Sequence, residues 1–345
     1  LYDPFQLEAL HRGGADRIRR IDLTEGAQLT LATQFARGDR FFCANEAQRS
    51  LWLGYLGAAG RLNPAQHDLD PTGGGLIGLA PFGVDEHPPV PGPSPLRSIP
   101  GIGADDPIAL WAGGLHDWLD PVTVVRAAAQ LPPTSVVRVV FVAGTTSGDG
   151  VRPMAAAARA AADDAGLTGS RVFFHPDWVP HDERGPMLLD AAIGLCAHPD
   201  HLETRFSHRT RMLDHLWAGL PTLTTGGDPL SAQLADAGAA RTTPPGDATR
   251  LAAALDDLVS DDQRRTSMSR AATDLGQKLR WSNCLGPLVQ WVGEAEPAPD
   301  RLDPVIGPRL GSAVRPRTLV ERLRMQWELE GTSGVLERAR RRLAR

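Results

Sequence analysis

The chain has 345 residues and a formal net charge of -5, with 42% hydrophobic and 22% charged residues. A chain of this length and composition folds into about two globular domains, which excludes a disordered or fibrous protein. The negative charge balance argues against a nucleic-acid-binding protein. Three widely separated cysteines, no signal peptide and no apolar run long enough to span a membrane predict a cytoplasmic protein.

The first 84 residues show only the later part of an alternating α/β pattern. Residues 40–44 and 76–81 are predicted strands, and residues 46–59 between them are a predicted helix. Because no strand pattern comes earlier, we expect residues 1–84 to be an amino-terminal domain that lacks its first strands. Residues 85–106 are rich in proline and glycine, which predicts an extended linker.

From residue 107 onward, strand and helix patterns alternate regularly. Strands are predicted at 108–111, 136–143, 171–174, 193–197 and 221–225, with helices at 121–130, 153–165, 185–192, 207–219, 230–237 and 248–259. This alternation produces right-handed crossovers and a parallel sheet that helices cover on both faces. We therefore expect a doubly wound, Rossmann-like domain over residues 107–285, followed by a carboxyl-terminal extension with basic helices over residues 286–345.

The carboxyl ends of the predicted strands carry the residues that we expect to bind a ligand, because open parallel sheets bind ligands along that edge. Gly113 and Gly114 follow the first strand of this domain, and Trp178 and Val179 follow the third. Residues 198–228 then supply polar and charged side chains to the same edge.

Arginines crowd the predicted helix that begins near Ser207 as its N-cap and ends at Gly219. The N–H groups of a first helical turn favour a phosphate, and Arg205, Arg209 and Arg211 add positive charge and forked donors. Arginines at this end oppose the helix dipole, which is easier to understand if an anion lies between them. The alternative is a solvated helix face with surface ion pairs.

Other motifs in the chain are weaker evidence for other kinds of site. Asp68 and Asp70 have the spacing of a metal-binding Asp-x-Asp motif, but a proline and three glycines follow them, which favours a turn. Cys196, His198 and His201 have no second cluster to complete a tetrahedral zinc site, so we interpret the histidines as residues that line a pocket. Gly113 and Gly114 do not belong to a nicotinamide-binding Gly-x-Gly-x-x-Gly fingerprint, and the P-loop and the hydrolase nucleophile motif are missing from the sequence.

Three stretches together resemble the family 4 glycosyltransferases of the GT-B fold. They are residues 110–121 (LWAGGLHDWLDP), residues 174–180 (FHPDWVP) and residues 201–228, which contain the arginines. Residues 80–85 (APFGVD) also look like the strand that ends the acceptor domain in that family. The resemblance extends over roughly residues 41–285 and implies two Rossmann-like domains that face a cleft.

The resemblance implies that the amino-terminal domain binds an acceptor and that residues 107–285 bind a nucleotide-diphosphate sugar. Gly113 and Gly114 would then let the backbone approach the diphosphate, and Trp178 and Val179 would flank the base. Transfer would proceed with retention of configuration at the sugar.

Charged residues of the motif acquire implied roles as well. Arg209 and Arg211 would neutralise the departing diphosphate, so that no metal is needed. The family often has two glutamates eight positions apart, and this chain has Phe206 and Asp214 there. Asp214 would bind the ribose, with a salt bridge to Arg211 as the alternative. Glu203 is the nearest substitute for the first glutamate and is expected to contact the sugar.

Arg205 and Asp228 complete the expected donor site. Asp228 either touches sugar hydroxyls or caps the following helix. From Arg315 onward nine Arg face four Glu, so this basic tail would lie on an anionic membrane or pack on the amino-terminal domain.

The sequence thus predicts a retaining, metal-independent glycosyltransferase of hexosyltransferase type. It would need no cofactor, because the nucleotide sugar is its donor substrate. The acceptor would be a carbohydrate, a lipid-linked molecule or a small molecule. The alternative function is a non-catalytic nucleotide-sugar-binding or scaffold protein with the same fold.

Overall fold

The structure is a computed structural model of the chain. It describes residues 1–12, 14, 16–142, 146–147, 150–151, 153–175, 177, 179–310, 318, 320, 321, 324 and 327. Its helices are α1 (Phe5–Glu8), α2 (Arg17–Arg37), α3 (Glu46–Ala58), α4 (Pro64–Leu69), α5 (Pro121–Gln130), α6 (Pro153–Asp164), α7 (Arg184–Asp190), α8 (Leu202–Phe206), α9 (Arg211–Trp217), α10 (Pro229–Asp236), α11 (Ala248–Ser260), α12 (Asp262–Lys278), α13 (Trp281–Cys284), α14 (Gly286–Gly293) and α15 (Pro299–Leu302).

The strands form one large sheet and two small ones. They are β1 (Phe41–Cys43), β2 (Ile77–Leu79), β3 (Ile108–Ala112), β4 (Arg138–Val142), β5 (Thr146–Ser147), β6 (Gly150–Val151), β7 (Val172–His175), β8 (Ile193–Cys196), β9 (Thr222–Thr225) and β10 (Ala240–Thr243). β1 pairs with β2, and β5 pairs with β6 in antiparallel orientation.

The large sheet is parallel and has the strand order β10-β9-β8-β3-β4-β7. After β3 the chain adds β4 and β7 on one side, and it then adds β8, β9 and β10 on the other. The direction of winding therefore reverses between β3 and β8, where such sheets form a crevice at their carboxyl edge. The predicted doubly wound parallel sheet is confirmed.

Strand β3 is central and buried on both faces. Its five residues are all buried. Ala109 and Trp111 pack in one apolar cluster, whereas Ile108, Leu110 and Ala112 pack in another. A continuous apolar run is what a parallel strand covered on both faces requires.

Aspartate side chains cap the starts of several helices in this part of the chain, among them α5, α10 and α11. Asp120, Asp228 and Asp247 precede α5, α10 and α11, and each side chain accepts hydrogen bonds from backbone N–H groups of the first turn. Pro121 and Pro229 follow two of these caps, where a missing N–H group costs nothing. These local signals explain why the helix starts could be predicted.

The predicted single helix over residues 207–219 is wrong, because the chain forms α8 and α9 there. Ser207 lies at the end of α8 and donates its hydroxyl to the Thr204 carbonyl at 3.0 Å, so it does not cap a following helix. α9 begins at Arg211 and has only seven residues. The N–H groups of Met212 and Leu213 bind the carbonyls of residues 209 and 210. The anion site predicted from helix N–H groups is therefore not supported.

Helix α2, strand β10 and helix α12 are among the elements that were not predicted. Helix α2 has a clear cap at Asp16 but buries only Ile18, Ala27, Leu31 and Phe35 over 21 residues, so its apolar pattern is thin. Strand β10 buries only Thr243, and helix α12 is strongly charged. Tertiary packing, not local pattern, selects these elements.

The chain divides into two compact units. One contains residues 1–4, 42–51 and 78–295, and the other contains residues 5–41, 52–77 and 296–345. The domain boundaries predicted at residues 84, 106 and 285 stay predictions. The basic tail lies almost entirely outside the described residues. Every helix in the described part of the chain falls short of the length and apolarity that a membrane crossing requires.

Candidate functional site

Two glycines follow strand β3 and contact an arginine from far along the chain. Gly113 has a φ of 122°, which favours glycine, and its N–H donates to the Val142 carbonyl at 2.8 Å. A Cβ atom on Gly113 would lie 3.2 Å from Nε and 3.3 Å from Nη2 of Arg211. The Gly114 carbonyl accepts a hydrogen bond from Arg211 Nη2 at 2.8 Å. Three of the predicted site residues therefore meet at the switch point of the sheet.

Arg211 is a positive charge that no described carboxylate balances. Its Nε and Nη1 atoms are buried and have no hydrogen-bond partner among the residues that the structure describes. Its Cζ lies 4.4 Å from the centre of the Trp111 ring. Burial lowers the pKa of Arg211 to about 10, so the group stays charged at neutral pH. A buried cation without a counter-charge is unfavourable, and an anion bound beside Gly113 would relieve that cost.

Arg209, by contrast, is already neutralised by Glu203. Its Nη1 donates to Oε1 at 2.9 Å and its Nη2 donates to Oε2 at 2.6 Å, and the side chains are 7% and 1% exposed. Such bidentate pairs are strong and directional. The Nε atom of Arg209 stays buried without a described partner. The predicted contacts of Glu203 with sugar and of Arg209 with diphosphate stay predictions.

Asp214 pairs with Arg184, and the alternative salt bridge with Arg211 is not observed. Arg184 Nε donates to Asp214 Oδ2 at 3.1 Å, and the guanidinium lies 5.3 Å from the centre of the Trp217 ring. Burial lowers the pKa of Arg184. Sequence reasoning missed Arg184, because it lies 30 positions before its partner and belongs to no motif. The predicted contact of Asp214 with ribose stays a prediction.

Asp228 caps helix α10 and binds His198 at the same time. Its Oδ1 accepts from the N–H groups of Leu230 and Ser231, both at 3.0 Å, and its Oδ2 lies 3.1 Å from His198 Nε2. Burial by itself would raise the pKa of Asp228, but hydrogen bonds from His198 and Ser231 outweigh burial and the pKa is lowered. The predicted cap is confirmed, and the contact with sugar stays a prediction.

The remaining predicted residues differ in their surroundings. Val179 is buried in the apolar cluster that contains Leu96 and Met187. Arg205 is exposed in the last turn of α8. Trp178 lies outside the described residues, so its predicted contact with a base stays a prediction.

His208, within residues 201–228, is a second residue that sequence reasoning missed. Both of its ring nitrogens are buried and lack a partner in the described part of the chain. The ring stacks on Phe82, with 6.3 Å between ring centres. Burial lowers the pKa of His208 to about 4, against a smaller opposite effect of Asp228. The only signal in the sequence was its position between Ser207 and Arg209.

Comparisons with known proteins show the fold. Neither a protein-family model nor a curated protein sequence matches the chain. Sucrose-phosphate synthase from Thermosynechococcus elongatus superposes with a TM-score of 0.59, at 17% identity over 84% of this chain and 67% of that structure. A glycosyltransferase from Rickettsia africae gives 0.58, at 12% identity over 77% and 66%. HepE from Anabaena, solved with UDP and glucose, gives 0.52, at 17% identity over 64% and 57%.

These similar structures are GT-B glycosyltransferases, and the chain shares their α/β fold. The chain spans between 57% and 67% of the length of each. Among described residues, no group of three or more His, Cys, Asp or Glu side chains is placed to hold a metal ion.

Proposed function

We propose that this chain is a retaining glycosyltransferase that binds a nucleotide-diphosphate sugar in the crevice between the ends of β3 and β8. The observation that carries the proposal is Arg211, whose Nε and Nη1 atoms are buried beside Gly113 without a described partner. A diphosphate supplies the negative charge and the acceptor oxygens that this guanidinium lacks. HepE, which shares the fold, was solved with UDP and glucose.

A fixed cation at this position would favour glycosyl transfer. When the glycosidic bond breaks, positive charge develops on the sugar and negative charge develops on the departing diphosphate. A guanidinium that is already in place stabilises that negative charge without reorganisation. Because Arg211 is held by the Gly114 carbonyl and the Trp111 ring, it is positioned before the donor binds. We propose that Arg211 provides this stabilisation without a metal.

The other charged residues take supporting roles in this proposal. Glu203 holds Arg209 by two hydrogen bonds, which leaves Arg209 Nε as a donor for a phosphate or sugar oxygen. A carboxylate has about four acceptor sites, so Asp214 can bind Arg184 and still accept from a ribose hydroxyl. Membership of family 4, a hexosyl donor, a carbohydrate or lipid-linked acceptor, a cytoplasmic location and membrane contact through the tail belong to the same proposal.

Calorimetry on the full chain with UDP, GDP and dTDP tests donor binding. We expect one of these nucleotides to bind, and we expect Arg211→Ala to weaken its binding by about 10- to 100-fold, since hydrogen bonds to charged groups contribute about 1.5–3 kcal/mol. Binding of the corresponding nucleoside should change little. Arg250→Ala is the matched control, because the Arg250 side chain is 72% exposed on α11.

Assay of donor hydrolysis and sugar transfer then separates the two functions. Turnover that Arg211→Ala reduces supports the enzyme. Nucleotide-sugar binding without turnover favours the alternative, a non-catalytic nucleotide-sugar-binding protein. If no nucleotide binds the wild-type chain, or if Arg211→Ala and Arg250→Ala behave alike, the proposed site is wrong.

A further inference from the structure

His198 lies across the switch point from Gly113, two residues after β8. It is fully buried, and its backbone N–H donates to Thr225 Oγ1 at 2.9 Å. The Thr225 hydroxyl in turn donates to the His198 carbonyl at 3.2 Å. The ring lies 3.1 Å from Asp228 through Nε2. These contacts hold the backbone and the imidazole of His198 in one arrangement.

The second ring nitrogen of His198 is the unusual atom. Nδ1 is buried, and the described residues offer it no hydrogen-bond partner. A buried polar atom without a partner costs about 1–3 kcal/mol. Proteins tolerate such an atom where a ligand or a water completes it.

Asp228 determines what Nδ1 can do. Its Oδ1 is occupied by two backbone N–H groups, so Oδ2 is the oxygen that receives the His198 Nε2–H group. In a neutral imidazole one nitrogen donates and the other accepts. With the proton on Nε2, Nδ1 carries a lone pair and accepts.

An acceptor at this position pairs with a hydroxyl group of a nucleotide sugar, on the ribose or on the transferred sugar, and not with the diphosphate. Phosphate oxygens carry no proton at neutral pH, so they pair with the unpartnered donors Arg209 Nε, Arg211 Nε and Arg211 Nη1. They do not pair with the lone pair of Nδ1. A sugar hydroxyl does, because it has a proton to donate.

We propose that His198, held by Asp228, accepts a hydrogen bond through Nδ1 from a hydroxyl group of the transferred sugar. The site therefore selects a hydroxylated sugar over the analogue that lacks this hydroxyl. This inference rests on the proposed donor site, and it adds a contact on the sugar that is separate from the contacts on the diphosphate.

Two substitutions distinguish the contributions of the two ring nitrogens of His198. The amide nitrogen of Gln reaches the position of Nε2, so His198→Gln keeps a donor toward Asp228 and removes the acceptor at Nδ1. The amide of Asn reaches the position of Nδ1, so His198→Asn keeps a polar atom there and removes the bond to Asp228. Thermal unfolding of both variants shows whether each one folds.

The measurement compares UDP with UDP-glucose, or GDP with GDP-mannose, or dTDP with dTDP-glucose, according to the base that the wild-type chain binds. We expect both variants to bind the nucleotide diphosphate within about twofold of wild type. We expect His198→Gln to bind the nucleotide sugar about tenfold more weakly, which corresponds to one lost hydrogen bond of about 1.4 kcal/mol. His198→Asn should retain more of the sugar-dependent affinity.

A second measurement follows the wild-type protein itself and uses a variant only for assignment. In wild-type protein with ¹⁵N-labelled histidine, the acceptor Nδ1 resonance, assigned through His198→Gln, should move on addition of the nucleotide sugar and stay in place with the diphosphate. If assignment through the variant fails, the proposal predicts one acceptor-type histidine resonance with that behaviour.

The outcomes distinguish the inference from the function on which it rests. If His198→Gln binds the nucleotide sugar as wild type does, or if no histidine resonance responds to the sugar, Nδ1 contacts water only and the inference is overturned. Loss of sugar-dependent affinity in His198→Asn alone would show a structural link to Asp228 and would also overturn it. If neither nucleotide diphosphate nor nucleotide sugar binds the wild-type chain, the proposed function itself fails.

Discussion

At the level of single residues, three arginines differ in what surrounds them, and that difference decides what each can bind. Arg184 and Arg209 each hold a carboxylate, whereas the Arg211 side chain contacts a carbonyl and the face of an aromatic ring. A paired guanidinium has little charge left for a ligand. Of the three, Arg211 therefore has the most charge available for an anion, whereas Arg209 offers only its buried Nε as an unpartnered donor among the described residues.

Substitution of Gly113 should weaken nucleotide binding, as should substitution of Arg211. A side chain at residue 113 would strain the backbone and would contact the Arg211 guanidinium. Gly113→Ala places Cβ 3.2 Å from Arg211 Nε at a φ of 122°. We expect a loss of about 1–3 kcal/mol in unfolding free energy and, in addition, weaker binding of the nucleotide diphosphate in calorimetry. Gly166→Ala is the control, since its φ of 66° also strains alanine but no atom lies within 4 Å of the new Cβ. Equal binding by the two variants would contradict a diphosphate at Gly113.

At the level of helices and strands, α9 is held against the sheet by a histidine and a glycine. A Cβ atom on Gly194 in β8 would lie 2.5 Å from His215 Cε1, and His215 Nδ1 lies 3.0 Å from Thr222 Oγ1. This contact joins α9 to β8 and β9. Because α9 begins with Arg211, the packing of the helix also places the guanidinium.

Gly194→Ala should therefore disturb both stability and binding. We expect the unfolding free energy to fall by about 1–3 kcal/mol, as overpacking of a filled core does, and the nucleotide diphosphate to bind more weakly. Urea unfolding and calorimetry measure the two effects. The control is Gly26→Ala. Gly26 is an exposed position of helix α2 with open space around the new Cβ, so the unfolding free energy should rise by up to about 1 kcal/mol. A stable Gly194→Ala variant would show that α9 moves freely.

The boundaries of helices and strands also show which features local sequence patterns can predict. Strand β3 and helix α5 could be predicted, because a buried apolar run and an Asp-Pro start are local signals. The break between α8 and α9 at residues 207–210 could not be predicted. It depends on the Ser207 hydroxyl, which donates to the Thr204 carbonyl and does not cap a following helix. A serine side chain can form either hydrogen bond, and the neighbouring sequence does not determine which of the two is more stable.

At the level of the whole molecule, a buried ion pair joins distant segments within one compact unit. Arg61 Nε donates to Asp300 Oδ2 at 2.6 Å across 239 positions, and Asn63 and Gln66 also donate to this carboxylate. Burial by itself would raise the pKa of Asp300, but these hydrogen bonds outweigh burial and lower it. The pair is therefore charged and fully enclosed.

Asp300→Ala should destabilise that unit strongly. Removing one partner leaves the Arg61 charge buried and unbalanced, which costs about 3–5 kcal/mol. Urea unfolding measures this loss. Asp257→Ala is the control, because its pair with Arg241 is on the surface, with the Asp257 side chain 59% exposed, and should cost less than about 1 kcal/mol. Similar losses in the two variants would mean that the Arg61 cluster contributes little.

Two buried histidines should make the protein less stable in mild acid. Burial lowers the pKa of His208 to about 4 and that of His215 to about 3, the latter helped by Arg211, from an unfolded value of 6.5. Below pH 6.5 the unfolded chain binds protons that the folded chain does not. Stability is therefore lost as the pH falls from 6.5 toward these lower values, by about 2 kcal/mol per histidine at pH 5.

Urea unfolding at pH 7 and pH 5 measures this dependence. In His208→Phe, which keeps a ring to stack on Phe82, the difference in unfolding free energy between the two pH values should shrink by about 2 kcal/mol. An unchanged difference would show that His208 is protonated in the folded protein or is not buried.

Local signals in the chain were enough to predict the parallel sheet, its carboxyl edge and the glycines and arginines along that edge. Periodicity, caps and turns act over a few residues, so they can be read without the fold. The pairing of the charges depended on the folded chain. Glu203 bound Arg209, Asp214 bound Arg184 and Arg211 found no carboxylate among the described residues. Side chains compete for partners that lie far apart in sequence, and packing alone sets which of them come within hydrogen-bond distance.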